Sequence, residues 1–299
     1  MTAAITIDLA DSAGQLRAYR SPLQVFWRRF SKNTLAIVAA VYLTIVYLIA
    51  AAAPVISPHS PEEIDLLNRL APPSREHFLG TDENGRDVFS RLLFGSQVSM
   101  TLGLMSVVLA VTIGTVLGAI SGYFGGRVDA LIMRFTDAML VLPSFFLALL
   151  VLAVFGPSIA NVIAVIGATQ WMVVARVVRS EVLRTVPQEF VNAAHALGAS
   201  HTRIVVRHIL PQAVPSLIVA STLGVANAIL TESALSYLGL GVQPPAASWG
   251  SMLSAAQNFI WTEPVLAVYP GLLILMSVLA FNSIGDALRD ALDPNYNVD

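Results

Sequence analysis

Six stretches of about twenty apolar residues constrain this chain more than any other feature. They fall near 34–56, 99–122, 132–155, 159–178, 214–238 and 265–285. A helix of ~20 apolar residues crosses the ~30 Å hydrocarbon core of a bilayer. The expected fold is therefore an all-α integral membrane protein with six transmembrane helices, one N-terminal span followed by a five-span core. Composition agrees: 12% of residues are charged, against about 25% in an ordinary soluble domain. The first run has Ala51–Ala53 in the place of a cleavage site. It is longer than the roughly 7–15 residues of a signal-peptide core, so it is read as an uncleaved span. There is no cysteine, which removes thiol nucleophiles, disulfides and Cys-ligated metals.

An even number of spans puts both termini on one side, and the basic residues say which. With the N-terminus inside, the first external loop carries Arg69, Arg75, Arg86 and Arg91, and the loops at 156–158 and 239–264 carry none. The remaining Lys and Arg, including the cluster Arg28, Arg29 and Lys32, fall on the opposite side. Positive loops stay in the cytoplasm, so a multi-pass protein with cytoplasmic N- and C-termini is expected. A net charge of −2 gives no ground for a nucleic-acid partner; the lipid bilayer is the partner the composition implies.

The most informative loop lies between the fourth and fifth spans. Thr185 and Gln188 have capping-box spacing, and Pro187 suits a first helical turn. Phe190, Ala193, Ala194 and Leu197 recur at three- and four-residue spacing and make one apolar face. Gly198 suits a helix end that needs a left-handed residue. Ser200 can cap a second short helix over about 201–210, closed by Pro211. Two short helices about a glycine hinge form a cytoplasmic protrusion, on which Ala193 and Ala194 would admit the close approach of another backbone. An ordinary helical loop satisfies the same pattern.

The order Ala193-Ala194, three residues, Gly198, then Ile209-Leu210-Pro211 resembles the "EAA loop" of ABC importer permeases. The family's Glu position falls at Asn192, with Glu189 one turn earlier, and His208 stands where the family usually has Ile. Further segments resemble the dipeptide and oligopeptide branch, the C-type permeases. These are Gly80-Thr81-Asp82-Glu83-Asn84-Gly85-Arg86-Asp87, Gly122-Tyr123-Phe124-Gly125-Gly126-Arg127-Val128-Asp129, Leu238-Gly239-Leu240-Gly241-Val242-Gln243-Pro244-Pro245 with Trp249-Gly250, and Ala280-Phe281-Asn282 through Asp290-Ala291-Leu292-Asp293-Pro294. The resemblance implies a permease domain over 98–288, preceded by a cytoplasmic tail (1–33) and a first span with its external loop (34–97), and followed by a tail (289–299). It implies that Glu189, Asn192, Ala193, Ala194, Leu197, Gly198, Ile209, Leu210 and Pro211 carry the contact to an ATPase. It implies a bacterial inner-membrane complex with a sister permease, two ABC ATPase subunits and an extracytoplasmic peptide-binding protein. Nickel and glutathione importers share this permease type, so the substrate stays open among them.

Other candidates are weaker. Asp82, Asn84 and Asp87 hint at a calcium loop, but Arg86 occupies a ligand position and no Glu closes it; a capped helix is the better reading. His195, His201 and His208 lack the i, i+4 spacing of helical metal sites, and His59 and His77 are isolated in the external loop. Gly114, Gly118 and Gly122 form a small-residue stripe suited to close helix packing. Asp137 and Glu232 fall at or near membrane depth, where ionisable groups usually face an aqueous cavity or a bundle interior. Both are candidates for the translocation path, with Arg134 one turn from Asp137 as its local partner and Pro143 able to kink that span.

No catalytic or metal set is expected. The chain lacks G-x-x-x-x-G-K-[ST], and its sole lysine is Lys32, so ATP would be bound by partner subunits and no cofactor by this chain. A secondary transporter would show inverted repeats and broken helices. An intramembrane enzyme would need a nucleophile and base, or a metal set such as His-Glu-x-x-His, at membrane depth. Neither pattern is present, and the reading is a non-enzymatic permease subunit of an ATP-driven peptide importer.

Overall fold

The computed structural model describes residues 22–292. Residues 1–21 of the expected first tail, and Asp293-Pro294 with the rest of the last tail, lie outside them. Every regular element among the described residues is helical: α1 (Pro22–Lys32), α2 (Thr34–Ile56), α3 (Val88–Phe124), α4 (Gly126–Val141), α5 (Ser144–Phe155), α6 (Ile159–Thr185), α7 (Glu189–Ala196), α8 (His201–Ile204), α9 (Leu210–Tyr237), α10 (Trp249–Ala256) and α11 (Val265–Leu292). Five helices are long and apolar enough to cross a membrane by themselves. A sixth crossing follows if α4 and α5, which meet at 82°, count as one broken span.

That break departs from the continuous third span expected over 132–155. Leu142 has extended backbone (φ −75°, ψ 126°) because the ring of Pro143 clashes with a helical conformation in the residue before it. The chain therefore turns at Leu142-Pro143 and restarts at Ser144, so the proline breaks the helix. The second span also starts earlier than expected, at Val88. Asp87 caps it by accepting from Ser90 N–H at 2.7 Å, which shortens the preceding loop to 57–87.

The bundle closes around α3 and α6, and the glycine stripe explains how near they come. A Cβ placed on Gly118 would lie 2.5 Å from the Ala175 carbonyl oxygen, and one on Gly114 would lie 2.6 Å from Val174 Cβ. Gly122 is similarly close to Val182. Only hydrogen fits along this seam, as the sequence pattern implied.

Two ion pairs then fasten α4 to α6. Arg179 reaches Asp129 through Nε at 2.5 Å and Nη2 at 2.6 Å, a two-pronged contact, and Ser121 Oγ on α3 donates to the same carboxylate. Two turns along α4, Asp137 pairs with Arg176 Nη2 at 2.6 Å. The expected local partner, Arg134, is not the one the fold selects. α4 runs against α6, which brings the Asp129 and Asp137 faces opposite Arg179 and Arg176.

At the end of the molecule holding the 239–264 segment, α10 forms a small cap. Its start carries a reciprocal capping box between Ser248 and Ser251. Trp249 and Gly250 are buried against the bundle, and Trp249 N–H donates to Ser99 Oγ on α3 at 3.1 Å. The expected loop at 239–264 therefore contains a helix. Its signal was the Ser248-x-x-Ser251 spacing ahead of Trp249, Met252 and Ala256, an apolar set one face wide.

Candidate functional site

The loop between α6 and α9 sits beside the C-terminal end of α3, and its local structure differs from the expected one in two ways. Thr185 does not cap α7. It closes α6, its hydroxyl donating back to the Glu181 carbonyl at 2.8 Å, and Gln188 stands at the start of α7. Nor does Pro211 end a second short helix. The chain passes from α8 through a π turn at Val205–Ile209 directly into α9. The Leu210 N–H reaches the Val205 carbonyl, one residue farther than in an α-helix. That widened turn absorbs the missing N–H and the bulk of Pro211, which would otherwise collide with the preceding turn.

α7 ends as expected. Gly198 has φ +77°, Ala199 N–H bonds to the Ala194 carbonyl at 3.1 Å and Gly198 N–H to the His195 carbonyl at 2.9 Å. This is the paired-bond helix stop in which glycine takes the left-handed position. A Cβ at Gly198 would meet nothing within 4 Å, so the demand for glycine is conformational rather than steric.

The apolar face assigned to α7 divides in two. Val191 and Ala194 turn inward and are buried with Ala119, Val178, Val182, Ile204 and Ile209. Phe190, Ala193 and Leu197 point away, Leu197 being 88% exposed. Ala194 and Ile209 therefore anchor the loop to its own bundle and are not open to a partner, contrary to the expectation that both alanines face outward. Ala194 follows Val191 by three residues and shares its face; Ala193 shares that of Phe190 and Leu197. Glu189, Asn192 and Pro211 are exposed, and Leu210 is half-buried.

Two further ties fix the loop. Glu181 on α6 accepts from Ser216 Oγ on α9 at 2.7 Å. Tyr123, at the end of α3, bonds through its hydroxyl to His201 Nδ1 at 2.7 Å and His195 Nε2 at 3.3 Å. The histidines' spacing of six residues hides this meeting because Gly198 reverses the chain between them.

The two path candidates lie in different surroundings. Asp137 and Arg176 are both more than half exposed. Glu232 has no exposed surface at all. Its Oε1 accepts from Ser236 Oγ and Ser248 Oγ, both at 2.7 Å, while Oε2 has no hydrogen-bond partner. Glu232 thus ties α9 to the cap beneath α10 and does not open onto a cavity. Nearby, an apolar cavity of about 510 Å³ is lined by residues of α5, α9, α10 and α11, among them Phe145, Leu230, Tyr237 and Ile274.

A bundle of membrane-length helices with one broken span, and a short helix packed onto its end through Val191 and Ala194, defines an integral membrane protein. Residues 114–298 match the family described as binding-protein-dependent transport system inner membrane component, and residues 21–73 match the N-terminal transmembrane domain of oligopeptide transport permease C. The dipeptide transport system permease protein DppC of Alkalihalophilus pseudofirmus is 43% identical over 92% of this chain and 90% of its own. The glutathione transport system permease protein GsiD of Pectobacterium atrosepticum is 39% identical over 93% of both chains. The nickel transport system permease protein NikC of Escherichia coli is 41% identical over 86% of this chain and 93% of its own. In shape, a solved amino acid ABC transporter chain aligns with a TM-score of 0.51 over 69% of this chain and 94% of its own, at 16% identity. The chain belongs to the binding-protein-dependent transport system inner membrane component family and is a permease subunit of the ABC importer type.

Proposed function

We propose that this subunit forms half of the translocation path of an importer for short peptides, which an extracytoplasmic binding protein delivers. Its partners are a sister permease and two ABC ATPase subunits, which bind and hydrolyse the ATP. The observation that carries the energy-coupling part is the division of α7. Val191 and Ala194 fix the helix to the spans, and Phe190, Ala193 and Leu197 are left as an apolar face.

Closure of the ATPase pair would push on this face. Because Val191 and Ala194 of α7 pack against Ile204 and Ile209, and α8 runs on through the π turn into α9, displacement of α7 is passed to a membrane-length helix. The spans then switch between inward- and outward-facing arrangements, a two-state equilibrium biased by ATP. In this reading α7 and both termini lie in the cytoplasm, and the 57–87 loop and α10 face outward. The exposed Asp137–Arg176 pair is the polar candidate on the path, and Glu232 holds the outer cap.

The peptide assignment draws on the relatives named for dipeptide and glutathione transport; nickel is the alternative supported by the third. Reconstituting the complex with its cognate binding protein in liposomes, and measuring ATP-dependent uptake of a labelled dipeptide, glutathione and Ni2+, decides between them. Uptake of Ni2+ without uptake of either peptide would reject the peptide reading.

A further inference from the structure

The 57–87 loop folds two histidines, far apart in sequence, onto the start of α3. The rings of His59 and His77 lie 4.8 Å apart between centroids. His77 Nδ1 is 3.0 Å from Asp87 Oδ1. One ligand atom from each of the three residues lies within 4.8 Å of the other two.

We propose that His59, His77 and Asp87 bind one borderline divalent cation, Zn2+ or a first-row neighbour such as Ni2+. Two imidazoles and a carboxylate are the donor set of such ions, whereas Ca2+ and Mg2+ take oxygen ligands. Two ligands each ~2.0 Å from a tetrahedral ion stand about 3.3 Å apart. The His77–Asp87 pair is already near that spacing, and the His59 ligand atom lies within 4.8 Å of both.

The surroundings are arranged for it. Asp87 divides its oxygens: Oδ2 accepts from Ser90 N–H and Ser90 Oγ, both at 2.7 Å, and so caps α3, which leaves Oδ1 for the ion. The same Ser90 Oγ accepts the His59 backbone N–H at 3.3 Å, so His59 and Asp87 are positioned by one residue. His59 Nε2 lies 2.9 Å from the Glu76 carbonyl oxygen. A carbonyl only accepts, so Nε2 carries the proton and Nδ1 is left with its lone pair. A backbone carbonyl holding the far nitrogen is the usual support of a metal-bound imidazole. The nearby arginines are paired with other carboxylates: Arg86 with Asp82 at 2.7 Å and Glu83 at 3.1 Å, and Arg91 with Asp82 at 3.3 Å. Support of the α3 cap accounts for the His77–Asp87 contact, but not for the second histidine brought over it. On binding, the cation takes the place of the proton between His77 Nδ1 and Asp87 Oδ1, and the neutral ring carries its proton at Nε2 instead, by exchange with solvent. The ion then pins the two ends of the loop to the first turn of α3.

The test uses the full-length chain with a tag free of histidine, purified in detergent. Zn2+ is titrated against a chromophoric chelator, and Co2+ serves as the spectroscopic probe. The expected result is a single Zn2+ per chain, with tetrahedral Co2+ absorption in the visible. Affinity falls roughly tenfold or more in His59→Ala; this is the chosen variant because the His59 ring takes no part in the α3 cap. In the unmutated chain, Zn2+ protects His59 and His77 from acylation by diethyl pyrocarbonate, read by peptide mass. Unchanged zinc affinity in His59→Ala overturns the proposal. So does zinc protection that falls on His195 and His201 in place of His59 and His77.

Discussion

Gly198 shows how much one backbone position can carry. Its φ of +77° is a conformation in which any side chain is strained although no neighbour lies in the way. Gly198→Val should therefore insert and assemble normally but displace the outward face of α7, at a cost of roughly 1–2 kcal/mol. The expected readout is ATP hydrolysis by the assembled complex that substrate-loaded binding protein no longer stimulates. Stimulation and uptake at unmutated levels would show that the turn tolerates a β-branched residue. This glycine was legible in the sequence because helix stops have a local signature. Ala193 and Ala194 were not separable in that way. Adjacent residues on a helix differ by about 100° in direction, and only the packing of Val191 and Ala194 against the bundle decides which of the pair is buried. Asp137 illustrates the same limit: Arg134 was its nearest cation in sequence, yet its partner Arg176 comes from another helix.

Among the elements, α3 and α6 pack along a seam of glycines that leaves no room for a side chain. Gly118→Leu would place side-chain atoms where a Cβ alone is 2.5 Å from a backbone oxygen. The two helices would have to separate, and overpacking of this kind costs about 1–3 kcal/mol or more. The measurement is thermal stability in detergent, with a lowered midpoint and reduced membrane yield expected; a midpoint equal to that of the unmutated chain would contradict the close seam. The existence and order of the spans were readable from apolar length alone, because the bilayer sets that length. Three details were not. The 82° break at Leu142-Pro143 depends on the bundle accommodating two half-helices, and periodicity registers only that a proline is present. The passage through Pro211 depends on a π turn, a one-residue shift in hydrogen bonding that leaves no mark in the apolar pattern. The cap helix α10 is only eight residues long, too short for a clear periodic signal.

For the whole molecule, the uneven distribution of basic residues and the two-faced α7 lead to one account: a membrane subunit whose α7 end lies in the cytoplasm against an ATPase. A reporter inserted near Asn68, in the exposed 57–87 loop, should report the exterior, and one within 185–205 or after Asp299 the cytoplasm. A cytoplasmic signal from Asn68 would contradict the orientation. The central claim, that the outward face of α7 receives the ATPase, is tested most directly by recovery of the ATPase subunits with the permease from solubilised membranes. Ala193→Arg places an unpaired charge in that contact, which costs several kcal/mol where the charge is buried, and each ~1.4 kcal/mol weakens association about tenfold. Ala194→Arg, by contrast, disrupts the permease's own packing and should lower its yield. The account predicts a stably folded Ala193→Arg permease at unmutated abundance that has lost the ATPases. Retention of the ATPases by that variant at the unmutated stoichiometry would show that this helix is not where they dock.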